Sequence, residues 1–240
     1  LEAGYDLLGR RTSLKTPDMG LKKYGYDEAG NLVWEEDEVL RKEGVKINYV
    51  YDGLNRLREV VLPRRKDQRV NTNTVYEYGE PGAAGNAANR ITKIADESGT
   101  VEYGYGKLGQ TDYEKRVIYS LNTSRVDREV SGVMEYLSDY LGRMERIKYP
   151  DGEEVSYYYD NGGQIQKVQG KKPYYTEPYE YVKDIGYDEY GQRIYIEYGN
   201  GVQTRYTYDP LRRWLRAIET TGEGQVYQYI NYEFDNENNF

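Results

Sequence analysis

One phrase, Tyr-Asp-x-x-Gly-(Arg/Asn/Gln), recurs through this chain from end to end. It reads YDLLGR from Tyr5, YDEAGN from Tyr26, YDGLNR from Tyr51, YGKLGQ from Tyr105, YDNGGQ from Tyr159, YDEYGQ from Tyr187 and YDPLRR from Tyr208. Weaker copies are SDYLGR from Ser138 and FDNENN from Phe234. A unit this short cannot bury a hydrophobic face alone and must lean on its neighbours, so the repeat restricts the fold before any other motif is considered. First positions lie 21, 25, 54, 33, 21, 28, 21 and 26 residues apart. The gap of 54 holds two periods, because Tyr78-Gly79 sits midway and a broken copy runs on to Asn89-Arg90. A floor of 21 residues with variable additions describes a fixed unit carrying an adjustable loop.

Three local signals identify the unit. Most copies carry a second aromatic two residues earlier (Tyr24/Tyr26, Tyr49/Tyr51, Tyr76/Tyr78, Tyr103/Tyr105, Tyr157/Tyr159, Tyr206/Tyr208, Tyr232/Phe234), and period two puts both rings on one face of a strand. Asp-x-x-Gly suits a tight hairpin: Asp accepts from the backbone two residues on, and Gly supplies the positive φ of a bulged loop. A second turn often falls between phrases, as at Asp96-Glu97-Ser98-Gly99, Pro150-Asp151-Gly152 and Gly199-Asn200-Gly201. One repeat is therefore two antiparallel strands and two turns. The longest turn-poor stretches are Leu8–Leu14 and Glu35–Lys46, and Gly44, β-branched residues and charge interrupt the second. The chain reads as nearly all β, a single array of about ten repeats over residues 1–240. Insertions at Pro63–Thr74, Gly79–Asn89 and Gly170–Glu180 are expected mostly opposite the Tyr-Asp rim, leaving one rim uniform and the other ragged.

Aliphatic residues and Phe make up only about one-fifth of the chain, a level at which disorder competes with folding. The 30 tyrosines shift that balance toward order. Each buried ring is worth on the order of 2 kcal/mol while its hydroxyl tolerates a wet neighbour. This composition predicts a thin sheet with both faces near water, held by cross-strand ring stacking, and not a sandwich with a dry interior. Net charge of −8 disfavours a nucleic-acid partner. The cluster Arg64-Arg65-Lys66 with Arg69 reads as a solvated loop. No apolar run approaches the length of a membrane span, no signal peptide is visible, and the start at Leu1 together with the last phrase ending at Phe240 reads as a slice of a longer protein.

The phrase, preceded by Tyr two residues back and recurring at 21 residues or more from Tyr5 to Asn239, resembles the Rhs/YD-repeat family. That family includes Rhs polymorphic toxins, the BC components of Tc toxin complexes, wall-associated proteins and teneurins. The resemblance implies one continuous twisted antiparallel strip of tandem hairpins, part of a spiral hollow shell. It further implies flanking repeats and a plug as partners, a C-terminal effector as cargo in toxin members, and a secreted, extracellular or cell-surface location. The repeat-defining residues are then Tyr5, Asp6, Gly9 and Arg10; Tyr26, Asp27 and Gly30; Tyr51, Asp52 and Arg56; Tyr105 and Gly109; Asp139, Gly142 and Arg143. They continue through Tyr159, Asp160 and Gly163; Tyr187, Asp188 and Gly191; Tyr208, Asp209 and Arg213; and Asp235. Toxin members release their effector through a DPxG-type motif. Here the one Asp-Pro, Asp209-Pro210, is followed by Leu211-Arg212 inside an ordinary repeat, so no protease residues are carried over.

With no His and no Cys, triads, thiol nucleophiles and Cys/His zinc sites are excluded. Carboxylate pairs such as Glu153/Glu154 and Asp188/Glu189 are expected by chance among 41 acidic residues. The repeated Asp is read as a hairpin corner instead of a calcium ladder, the acidic string from Asp235 lacks a full calcium loop, and the repeated Arg is read as stacking on a neighbouring Tyr. The expectation is a non-catalytic chain with no metal and no cofactor. Encapsulation or presentation of a polypeptide leads, and carbohydrate or cell-surface binding through Tyr-rich faces is the alternative. Self-association through unpaired edge strands is also expected.

Overall fold

The computed structural model describes residues 1–63, 73–120 and 128–234. Among them are nineteen strands, assigned to one antiparallel sheet, and one short helix. The chain divides into two compact units, Leu1–Val133 and Met134–Phe240. The first contains β1 (Glu2–Tyr5), β2 (Arg11–Thr16), β3 (Gly20–Tyr26), β4 (Leu32–Glu36), α1 (Glu38–Glu43), β5 (Ile47–Tyr51), β6 (Leu57–Val61), β7 (Thr74–Tyr78), β8 (Ile91–Asp96), β9 (Gly99–Tyr105) and β10 (Thr111–Ser120). Strand β11 (Arg128–Ser138) runs through the boundary. The second contains β12 (Met144–Lys148), β13 (Glu154–Tyr159), β14 (Ile165–Lys171), β15 (Tyr179–Tyr187), β16 (Arg193–Tyr198), β17 (Gln203–Tyr208), β18 (Leu215–Gly222) and β19 (Gln225–Asn231).

Within each unit the ladders join strands that are consecutive in sequence. Hairpins at the phrases alternate with turns at the opposite rim, as two strands and two turns per repeat require. All nine phrase hairpins share one defect: a single extra residue on the outgoing strand, six positions after the Asp in a normal copy. In β3–β4, for example, Tyr26 faces Leu32 and Gly25 faces Trp34, which leaves Val33 unpaired. A bulge at a fixed place beside a turn sharpens local twist and re-aims the chain.

Little is buried. Ala87, Val117, Val155 and Ile196 are the buried apolar side chains among the described residues, with Thr204 the buried polar one. This is the thin sheet the composition predicts. Its cement is different from the predicted ring stacking. Among the described residues only Tyr179–Tyr181 and Trp214–Phe234 bring two rings together. Seven phrase tyrosines instead bond backbone carbonyls, and several lie under guanidinium groups.

One short helix interrupts the strands, and one further expectation is corrected. Glu38–Glu43 is helical: Asp37 caps it by accepting from the Leu40 N–H at 2.8 Å, and Gly44 ends it at φ 72°. The insertion Gly79–Asn89 belongs to the Tyr-Asp rim itself. Gly79 stands where Asp stands elsewhere, and its N–H donates to the Arg90 carbonyl at 2.9 Å, as the Asp6 N–H does to Arg10. The insertion at Gly170–Glu180 does lie on the opposite rim, between β14 and β15. Of Pro63–Thr74, residues 64–72 lie outside the described residues, as do the Arg64-Arg65-Lys66 and Arg69 cluster and Asp235.

Candidate functional site

Each phrase first builds its own corner. In YDLLGR the Asp6 Oδ1 accepts from the Leu8 and Arg10 N–H groups, both at 2.9 Å, and Oδ2 accepts from Arg10 Nε at 2.7 Å. Asp52 with Leu54 and Arg56 repeats this set at 2.9, 3.0 and 2.7 Å, and Asp139 with Leu141 and Arg143 at 2.9, 2.9 and 2.7 Å. One carboxylate thus satisfies two backbone donors that no strand can reach and holds a guanidinium in the turn plane. Gly9, Gly30, Gly109, Gly142, Gly163 and Gly191 close their turns at φ between 76° and 90°, and Asn55 does so at 59° in the copy without Gly. Asp27 pairs with Asn31, while Asp160 and Asp188 accept from the Gln164 and Gln192 N–H groups. The YGKLGQ copy inverts the device: Gly106 replaces Asp, and the Gln110 side chain turns back to accept from the Leu108 N–H at 3.1 Å.

Contacts of this kind lower the carboxylate pKa values of Asp6, Asp27, Asp52, Asp139 and Asp209. For Asp6 and Asp52 the leading cause is the N–H of the Arg four residues on. For Asp27 it is the Asn31 side chain. For Asp139 desolvation pulls upward but is outweighed by the Arg143 N–H and guanidinium. Asp209 falls to about 2 under the Arg212 N–H and the Arg216 guanidinium.

The phrase then reaches its neighbour. Ladders between successive phrases stop short of the Tyr-Asp rim: β2–β3 ends at Ser13/Lys23, β4–β5 at Trp34/Asn48, and β16–β17 at Tyr195/Arg205. Beyond those pairs the strands splay because of the bulge, and a carbonyl on the outgoing strand loses its ladder donor. Tyrosine supplies one. Tyr26 donates to the Arg11 carbonyl, Tyr51 to Leu32, Tyr78 to Leu57 and Tyr105 to Ile91, at 2.5 to 2.9 Å. In the second unit Tyr159 donates to Met144, Tyr187 to Ile165 and Tyr208 to Arg193, at 2.6 to 3.0 Å. In the six copies with a normal preceding turn the acceptor lies five residues after the previous phrase's Asp; Tyr105 reaches past the insertion. We call each splayed gap a seam. The hydroxyl bonded across it is what Phe could not provide.

Arginine covers the same ring. Arg10 lies over Tyr26 at 4.9 Å, Arg56 over Tyr78 at 4.5 Å, Arg90 over Tyr105 at 5.2 Å and Arg143 over Tyr159 at 4.3 Å, each on the Tyr of the following phrase. Arg10 Nη1 also donates to the Asp27 carbonyl and Arg90 Nη1 to Gly109. Arg213 departs from this pattern. Its turn is one residue longer, so Asp209 N–H closes on Trp214 and Arg213 takes the positive-φ place at 62°. The Asp209 ion pair passes to Arg216 at 2.9 Å, and Arg213 lies over Tyr190 of the preceding phrase.

One feature is absent from the sequence expectations. Gly25, Gly104 and Gly186 immediately precede phrase tyrosines, and a Cβ on them would overlap Trp34, touch Tyr113 and overlap Tyr195. Each aromatic is the direct cross-strand partner of its Gly. The signal was available as Gly before the phrase together with an aromatic seven residues after its second position.

Among the described residues no three His, Cys, Asp or Glu side chains cluster as a metal site. No helix of the described residues is long and apolar enough to cross a membrane. The same corner contacts recur along the rim.

No protein-family model and no curated protein matches the sequence. Solved structures do. The crystal structure of TcdB2-TccC3-Cdc42 superposes at TM-score 0.85 and 19% identity, covering 99% of this chain and 12% of that one. TcdB2-TccC3 without hypervariable C-terminal region gives 0.83 and 19%, covering 96% and 12%. The Photorhabdus luminescens Tc holotoxin pore gives 0.83 and 20%, covering 96% and 11%. The fold expected from the phrase is the fold these Tc toxin structures contain, and the chain spans about 12% of the first one's length.

Proposed function

We propose that this chain is a length of wall from an Rhs-type shell, secreted or exported, whose work is mechanical: it encloses or presents another polypeptide and performs no catalysis itself. The observation that carries this reading is the uniformity of the Tyr-Asp rim. Nine hairpins share one bulge position, and seven tyrosines bond successive phrases by the same rule. A ligand site needs one special place, whereas a wall needs every repeat to meet the next in the same way. The matched fold also occurs in TcdB2-TccC3 without hypervariable C-terminal region, which fits a wall that is separable from variable cargo. The test is electron microscopy and limited proteolysis of the complete parent protein. A closed shell whose internal segment resists protease until the wall is opened is expected; a rod or open strip with no protected segment overturns the reading.

A second reading, carbohydrate or cell-surface binding, draws on exposed rings outside the seams: Tyr140, Tyr174 and Tyr175. The seam tyrosines under arginine do not present that face. Glycan-array and calorimetric titration of this chain decides it, with no saturable binding removing it.

A further inference from the structure

At the rim opposite the phrases, Glu153 follows the β12–β13 turn and Gly170 lies near the end of β14. Tyr179 and Tyr181 start β15 with their rings over Gly170, where a Cβ would sit 2.7 Å from each. Both hydroxyls donate to the same Glu153 oxygen, Tyr181 at 2.5 Å, and they lie 3.1 Å from one another. The ring centroids are 5.1 Å apart and edge-on. This is the one contact between two tyrosine rings among the described residues. Tyr181 is 44% exposed, so a diffusing oxidant reaches it.

The acceptor makes this pair chemically different from the seam tyrosines. A seam hydroxyl donates to an amide carbonyl, which is far too weak a base to take the proton. A carboxylate can take it. Removing an electron from a phenol acidifies it sharply, so a base already bonded to the hydroxyl receives the proton as the electron leaves. Tyr195, which donates to Asp184, has the base but no second tyrosine ring against it among the described residues.

We propose that Tyr179 and Tyr181 form an oxidative cross-linking site, with Glu153 as the proton acceptor. The oxidant is a peroxidase-type one-electron oxidant working with hydrogen peroxide. Each phenol gives one electron to the oxidant and one proton to Glu153, which passes it to solvent before the second phenol reacts. The two tyrosyl radicals couple through the ring carbons next to their oxygens, forming one carbon–carbon bond. The hydrogens on those carbons migrate to the oxygens and restore both phenols. The pair loses two electrons and two protons in total, which reduce one hydrogen peroxide to two waters. With the hydroxyls in contact, the coupling carbons start close together.

The experiment treats the intact chain with peroxidase and limiting hydrogen peroxide, then maps cross-links by peptide mass spectrometry. Tyr174 and Tyr175 share the peptide, so mapping is done in a chain carrying Tyr174→Phe and Tyr175→Phe. The expected result is a two-hydrogen mass loss localised to Tyr179–Tyr181 as the earliest cross-link. Glu153→Gln keeps a hydrogen-bond acceptor but not a base, and should slow that product about ten-fold or more. Tyr181→Phe should abolish it. Circular dichroism confirms that each variant keeps its sheet. Cross-links that form elsewhere at the same rate, or an unchanged rate in Glu153→Gln, overturn the proposal.

Discussion

The Tyr51 hydroxyl donates to the Leu32 carbonyl at 2.9 Å, across a gap where the β4–β5 ladder has already ended at Trp34 and Asn48. This bond shows why the chain uses tyrosine where most sheets use aliphatics. The bulge after each phrase opens the strands and leaves a carbonyl without its partner. The next phrase carries the donor that answers it.

Replacing Tyr51 or Tyr187 by Phe removes only that donor. A half-buried carbonyl left without a partner should cost about 1–3 kcal/mol in each case. For a chain of this size 1 kcal/mol corresponds to roughly 2–4 °C in Tm. Tyr5→Phe is the control, since Tyr5 is 62% exposed. Urea unfolding of the three variants checks this, and equal effects at all three sites would reject the seam account.

The corners make a separate prediction, one of order. Asp52→Asn keeps an oxygen for the Leu54 and Arg56 N–H groups and loses the ion pair, whereas Asp52→Ala loses all three bonds. Ala should therefore be clearly the worse substitution, and Arg56→Ala should fall between them because it also uncovers Tyr78. Thermal melts rank the three.

Stability should fall at both ends of the pH scale. Asp6, Asp27, Asp52, Asp139 and Asp209 have folded pKa values below the ordinary 3.8. Their contribution is full above that value and is lost as pH falls toward about 2, the value for Asp209. Burial raises Tyr51, Tyr105, Tyr187 and Tyr208 above 10.0. Burial, then Glu35, pushes Tyr49 to about 12. For these groups the contribution is full below 10.0 and is lost as pH rises through the folded values. Denaturant midpoints measured from pH 2 to 12 should show a plateau with two descending limbs. Tyr51→Phe should flatten the alkaline limb alone.

Gly186→Ala should destabilise by about 1–3 kcal/mol, because a Cβ there overlaps the Tyr195 ring in an already packed place. Combining it with Tyr195→Ala should recover part of the loss. Additive effects in that cycle would show that the two residues do not meet.

The repeat unit and its rim were legible because the phrase names the corner: Asp with Gly three on, and Tyr in front, fix turn, direction and spacing together. The bulge was not legible, since it is an unpaired residue with no preferred type: Thr12, Val33, Arg58 and Gln166 all serve. Without the bulge there are no seams, so the hydroxyls read as tolerance of water when they are in fact donors. Arg213 aligns with Arg10 by position in the phrase, but the turn there is one residue longer, which puts Arg213 in the place usually held by Gly. The insertion after Gly79 was assigned to the wrong rim because the phrase there lacks its Asp. Its Tyr78 still bonds Leu57, and its Arg90 still covers Tyr105.

That last turn encloses ten residues between Gly79 and Arg90, where Asp6 and Arg10 enclose three. Tyr78, the Ile91 carbonyl and the Arg90 guanidinium, which carry the usual contacts, lie outside the enlarged part, while inside it Asn89 accepts from Arg56 Nη1 and Asn86 donates to the Tyr105 carbonyl. The enlarged corner therefore keeps the contacts of a normal one and adds two of its own. New sequence can accumulate at the tip of a corner, and the strands on either side keep their places.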